Sequence, residues 1–174
     1  MKETIVGKIG IPEGTDVKII DSLISIKGAK GTVERKLLSP KIKIEVVEKN
    51  IVITSENATK REKALVGTFK AHIKNMLNGV NKGHVYKLKI CSGHFPMSVS
   101  VSGDEFIVKN FLGESMPRKL KFKKGVSVKV EGKDIIVESI DKELAGQTAA
   151  SIEELTKRKG FDKRIFQDGI YIYS

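Results

Sequence analysis

The 174 residues carry 32 Lys and Arg against 21 Asp and Glu, a formal net charge of +11 and an isoelectric point near 9.6, so a polyanion, nucleic acid first, is the partner class to expect. With 40% hydrophobic and 30% charged residues the chain has the composition of a folded protein, long enough for one ordinary domain or two small ones. It has no apolar run that spans a bilayer, no Lys-rich amphipathic helix with large apolar residues, no signal peptide and a single cysteine, Cys91, which argues against a membrane partner, excludes an internal disulfide and suits a cytoplasmic home.

In chain order, Lys2 to Ile11 reads as a strand ending at Pro12-Glu13-Gly14. Runs at Val17 to Ile19 and Leu23 to Lys27 flank Asp21-Ser22, and Gly28-Ala29-Lys30-Gly31 is a turn before a strand at Val33 to Leu38. Ile42, Ile44 and Val46 alternate with charged residues, a half-buried strand, and Lys49-Asn50 turns the chain into a hairpin with Ile51 to Thr54. Thr59 followed by Glu62 is a capping-box signature. Leu65, Phe69, Ile73, Met76 and Leu77 then stripe one face of a helix that Asn78-Gly79 stops.

After Gly83 the order begins again. Strands are predicted at His84 to Cys91, Met97 to Val101 and Phe106 to Asn110, a loop at Phe111 to Glu114, and strands at Arg118 to Lys124 and Val126 to Val130. Gly132-Lys133-Asp134 is a turn and Ile135 to Val137 a strand. Asp141 is an N-cap, and Leu144, Ala145, Ala149, Ile152 and Leu155 mark the apolar face of a second helix, which is predicted to run through a basic last turn, Lys157 to Lys159, to Gly160. A final strand covers Ile170 to Tyr173. Gly31 aligns with Gly113, Arg35-Lys36-Leu37 with Arg118-Lys119-Leu120, Lys49 to Ile53 with Lys133 to Val137, and Gly67 with Gly146. This reads as a tandem duplication with an α+β fold: two repeats, residues 1–81 and 82–174, each an antiparallel sheet assembly packed with one main helix.

Two constellations could carry binding. Lys119, Lys121 and Lys123 alternate with Leu120 and Phe122 and are flanked by Arg118 and Lys124; the run is either a phosphate-contacting strip or a solvated sheet face. Lys157, Arg158, Lys159, Lys163 and Arg164 cluster about the end of the second helix with only Asp162 between them, and RNA contact is favoured there, because guanidinium forks onto phosphate oxygens. Aromatic residues are only 6% and Trp is absent, so base stacking is not expected to dominate. Gly28 to Gly31 lacks the continuation of a phosphate loop and is read as a hairpin turn. Cys91, His94 and His84 supply three potential zinc ligands where a structural site needs four, and no metal or cofactor is expected. No nucleophile elbow or paired-carboxylate motif stands near His72, His84 or His94, so an enzyme is not expected.

The segments I-S-I-K-G-A-K-G-T-V-E-R-K-L, N-M-L-N-G-V-N-K-G-H-V-Y-K-L, H-F-P-M-S-V, V-K-N-F-L-G-E and G-K-D-I-I-V-E-S-I-D-K-E-L-A-G-Q-T-A-A-S-I resemble universal ribosomal protein six of the large subunit, over essentially the whole chain. The ending D-K-R-I-F-Q-D-G-I-Y-I looks like the archaeal and eukaryotic branch. The resemblance implies two similar α+β domains, binding to large-subunit rRNA chiefly through the second, and a place near the sarcin–ricin loop and the stalk base, beside neighbouring large-subunit proteins and where translational GTPases dock. It also carries over Gly146, Gln147 and the basic loop Lys157 to Gln167 as rRNA-binding positions; the strip Arg118 to Lys124 rests on charge alone. The alternative is a free-standing basic RNA-binding module without a fixed rRNA target.

Overall fold

The computed structural model describes residues 3–162 and 164–174, and it divides the chain into two compact units, Met1–Gly83 and His84–Ser174. The first unit holds β1 (Glu3–Gly10), β2 (Asp16–Ile20), β3 (Leu23–Gly28), β4 (Gly31–Lys36), β5 (Lys43–Val47), β6 (Asn50–Ala58) and helix α1 (Lys60–Asn81). The second holds β7 (His84–Cys91), β8 (Ser98–Ser102), β9 (Glu105–Lys109), β10 (Arg118–Lys121), β11 (Val126–Glu131), β12 (Asp134–Ser139), helix α2 (Lys142–Leu155) and β13 (Gly169–Ile172).

The pairing repeats. In the first unit the sheets run β1-β6-β5 and β2-β3-β4; in the second they run β11-β12-β7-β13 and β8-β9-β10, all antiparallel. Element by element the second unit copies the first and adds β13 on the free side of β7. The fold is therefore α+β with duplicated sheet domains.

One pairing differs from the sequence alignment. Ile24 of β3 stands between Ile19 and Arg35, and its counterpart Phe106 of β9 stands between Val101 and Leu120. Arg35 thus corresponds to Leu120, not to Arg118, and Arg118 corresponds to Val33. The cause is the connection: Ala29-Lys30 suffices in the first unit, whereas residues 110–117 bridge β9 to β10 through a single 3-10 turn, Phe111–Gly113. A slip of two residues leaves every side chain on its own face, so the burial pattern tolerates it.

Each core is made by the inward residues of both sheets and the apolar stripe of the helix. In the second unit Leu88, Phe106, Ile135, Val137, Ile152 and Ile170 are all fully buried in one cluster. Burial of a side chain such as Ile170 contributes about 1.5–3 kcal/mol, which fixes the short strand β13 to a unit whose other strands lie far upstream. In the first unit Ile24, Ile51, Ile53, Ile73 and Val80 hold the matching positions. The stripe of α1 is centred on Val66, Phe69, Ile73 and Val80, while Leu65 is only half-buried. The β5–β6 turn falls on Glu48-Lys49, with Glu48 at φ +53, one residue before the sequence reading.

Helix α2 is shorter than its charge pattern suggested. It begins where expected, with the Asp141 carboxylate accepting the Glu143 N–H at 2.9 Å, but it ends at Leu155 with Thr156 as C-cap. The Thr156 hydroxyl donates to the Glu153 carbonyl at 3.2 Å and accepts the Ile170 N–H at 2.9 Å. That bond turns the chain out of the helix because it ties the cap to β13, so Lys157, Arg158 and Lys159 belong to the following loop and not to the last helical turn.

Candidate nucleic-acid interface

Strand β10 also ends early. Lys123 and Lys124 lie beyond it, yet the alternation persists: Lys119, Lys121 and Lys123 are exposed, while Leu120 and Phe122 pack on the core. Between β10 and α2 runs a groove of about 300 Å³ lined by Lys121, Lys123, Gln147 and Ser151 among others. The Lys123 ammonium donates to the Gln147 amide oxygen at 2.9 Å. The structure thus joins Lys121 and Lys123, singled out by charge, with Gln147, singled out by resemblance. Gly146 has a different role. A Cβ there would stand 3.4 Å from the Tyr86 hydroxyl, so the glycine lets β7 and its tyrosine lie close under the helix.

Arg118 is not one of the outward cations. It shares the inward face of β10 with Leu120, its side chain is 24% exposed, and its Nε and Nη2 donate to the Glu114 carboxylate at 2.8 and 2.7 Å. Its Nη1 donates to the Leu155 carbonyl at 2.5 Å, and the guanidinium packs over the Phe111 ring at 4.5 Å. Arg118 therefore ties the 110–117 loop to the C-terminal end of α2. Arg158 reaches the same carboxylate, Nη1 to Glu114 Oε1 at 2.6 Å. The Arg118 hydrogen bond, with the charges of both arginines, holds the Glu114 carboxyl below the usual carboxylate range despite its partial burial.

The loop after α2 is organised by its aromatic rings. Arg158 lies over Phe161 at 4.8 Å, Phe161 meets Phe166 edge-on at 4.9 Å, and Phe166 stacks on His94 at 4.7 Å. His94 Nδ1 is 2.6 Å from the Asp168 carboxylate, which also accepts the N–H groups of Gly93 and His94 at 2.6 and 3.0 Å. Burial alone pushes the Asp168 carboxyl up, but the His94 and Gly93 donors outweigh it and hold it below its ordinary value. Asp162 accepts the backbone N–H of Arg164 and pairs with its guanidinium at 2.8 Å, while that arginine stays 90% exposed. Lys157, Lys159 and Gln167 are exposed; Lys163 lies outside the described residues. Gly160 makes the turn at φ +85.

Glu114, His94 and Asp168 were not singled out as site residues from the sequence, although His94 was weighed as a zinc ligand, and Phe161 and Phe166 entered only as part of the loop Lys157 to Gln167, with no role of their own. Their signals were present: His94 and Glu114 fall inside family-like segments, and two phenylalanines bracket Lys163-Arg164 in a chain poor in aromatics. Among the described residues no group of three or more His, Cys, Asp or Glu could hold a metal, and Cys91, at the end of β7 opposite Gly169, is free.

Set beside known proteins, the chain matches the model of the ribosomal protein L6 family over residues 11–83 and 95–169, one stretch in each unit. It is 49% identical over 172 residues to the large ribosomal subunit protein uL6 of Methanosarcina mazei, covering 99% of this chain and 98% of the relative. To the proteins of the same name from Ignicoccus hospitalis and Methanococcus vannielii it is 47% and 46% identical, covering 95% of this chain in both cases and 92% and 91% of the relatives.

Proposed function

The chain belongs to the ribosomal protein L6 family, and from that membership we propose that it serves as a structural constituent of the large ribosomal subunit whose second unit binds large-subunit rRNA. The observation that carries the proposal is the convergence on one unit of an exposed lysine groove, built around Lys121, Lys123 and Gln147, and a basic loop that follows the same helix. Ammonium groups in that groove would pair with phosphate oxygens as point charges, and the Gln147 amide offers both donor and acceptor to ribose or base edges. The exposed Lys157, Arg158, Lys159 and Arg164 extend the same positive surface, whereas Arg118 contributes by bracing the loop that flanks it. The family resemblance would set this surface near the sarcin–ricin loop and the base of the stalk, beside other large-subunit proteins and within reach of translational GTPases. The role is binding and scaffolding, without catalysis.

The test compares two charge reversals. Replacing Lys157 and Lys159 by Glu is expected to lower affinity for large-subunit rRNA at least tenfold, about 1.4 kcal/mol. The same reversal at Lys60 and Arg61, exposed in the first turn of α1, should change affinity far less, and Glu there favours the helix dipole. Filter binding at fixed ionic strength reads the difference, with circular dichroism to confirm that both variants fold. Equal losses would show that the cations act only as diffuse charge. Failure to co-sediment with large subunits in high salt would favour a free-standing RNA-binding module instead.

A further inference from the structure

Beside the basic loop lies a pocket of about 410 Å³, within the range of about 300–1,000 Å³ usual for small-molecule sites. Phe161, Phe166, Tyr171 and Leu112 form apolar walls, and Ala150 of α2 leaves the room. The aromatic wall is braced from behind: Phe166 is held against His94, and His94 is clamped by the buried Asp168 carboxylate. At the lip stand Lys157 and Arg158, the latter with its guanidinium over Phe161 and 37% exposed. The carboxylates of Glu153 and Glu154, and that of Asp168 already engaged by His94, also line the cavity. The basic groove and loop explain contact with an RNA backbone but leave this hollow unused.

We propose that the pocket receives one unstacked nucleotide of the bound RNA, its base against the phenylalanine wall and its phosphate at the Lys157–Arg158 lip. The inference rests on the rRNA-binding reading and adds to it a defined subsite for a base. Aromatic faces and a guanidinium plane both stack on nucleobases, and an unpaired base is the part of an RNA that can leave its helix and enter a cavity. The glutamates accept hydrogen bonds from exocyclic amino groups, so adenine, cytosine or guanine fits better than uracil, and their charge keeps phosphate at the lip. The rival occupant of an aromatic pocket with carboxylates, an arginine from a neighbouring protein, would have to pass two cations at the entrance. The low aromatic content of the chain concealed this arrangement, because two of its seven Phe and one of its three Tyr are gathered here.

The experiment uses the full chain and protein-free large-subunit rRNA as the probe. Phe161→Ala is expected to lower affinity about tenfold, the scale of one lost stacked base, with the salt dependence unchanged because no phosphate contact is removed. Phe161→Tyr should restore binding and Phe161→Leu should not, and thermal melting checks that each variant folds. Ultraviolet cross-linking followed by mass spectrometry should place an RNA adduct on Phe161, Phe166 or Tyr171. Wild-type affinity in Phe161→Ala, or full rescue by leucine, overturns the pocket; if the Lys157, Lys159 reversal still weakens binding, the rRNA reading survives it. A lysine variant that binds like wild type removes both. A cross-link from the pocket to a protein in intact subunits, with none to RNA, also overturns the proposal and assigns the cavity to a protein neighbour.

Discussion

Glu62 shows how much one residue can decide. Its carboxylate accepts the Thr59 hydroxyl and the Thr59 backbone N–H, the latter at 2.9 Å, and lies 3.3 Å from the Lys41 ammonium. The hydroxyl bond first, then the backbone bond, hold its pKa near 2 instead of 4.5. The folded pKa is depressed, so the stabilisation is complete above about 4.5 and is lost as pH falls toward 2, because the unfolded chain takes up the proton first. The midpoint of thermal unfolding of the first unit should therefore fall across that window, and Glu62→Gln should flatten the decline while lowering the midpoint at neutral pH. This cap was legible in the sequence because capping is local: Thr59 and Glu62, like Asp141 and its helix, are neighbours along the chain. The ion pair from Glu114 to Arg158 spans 44 residues, and no local pattern announces it. Arg118 was half legible. By strand parity it stands with Leu120 and Phe122 on the inward side, which already separates it from Lys119 and Lys121.

At the scale of elements, the glycines separate conformational from packing constraints. Gly67 sits on the exposed side of α1 with open space around its Cβ position. Gly67→Ala should raise stability by about 0.5–1 kcal/mol, since alanine loses less backbone freedom in a helix. Gly28 ends β3 against α1, where a Cβ would come within 2.8 and 2.9 Å of the Val80 side chain. Gly28→Ala should cost about 1–3 kcal/mol by overpacking. Urea titration measures both, and a neutral Gly28→Ala would mean that α1 yields there without resistance. The copies divide bulk between strand and helix differently. Gly7 of β1 leaves room for Val66, a Cβ there lying 3.6 Å from it, whereas Gly146 of α2 leaves room for Tyr86. The strands and the helix starts were legible from period-two and 3.6-residue patterns. The end of α2 was not, because a hydroxyl bond to Ile170, 14 residues away, decides it, and a basic run looks the same in a helical turn as in a loop.

For the whole molecule, the repetition could be read from the sequence because the buried positions recur in the same order in both units. The longer 110–117 connection, the basic loop and β13 are found in the second copy alone, and the proposed interface is made of those additions together with outward lysines on the shared frame. If binding runs through that surface, it should weaken steeply with salt. With four phosphate contacts at about 0.7 each, the log–log slope of affinity against salt is roughly −3, and a flat titration would exclude phosphate-dominated binding. The added strand also sets an order of assembly. The first unit has all its pairing partners once synthesis reaches Gly83, but β7, the first strand of the second, waits until Ile172 for β13. Until then the place of Ile170 in the core stays empty and Thr156 lacks the N–H that turns the loop. A chain cut short before Gly169 would keep every strand of its first unit, yet would lack the Thr156–Ile170 bond that shapes the basic loop here. If the proposed interface binds RNA, coupling its loop to the last strand would make it a readout of completeness, and unfinished copies would be poor competitors.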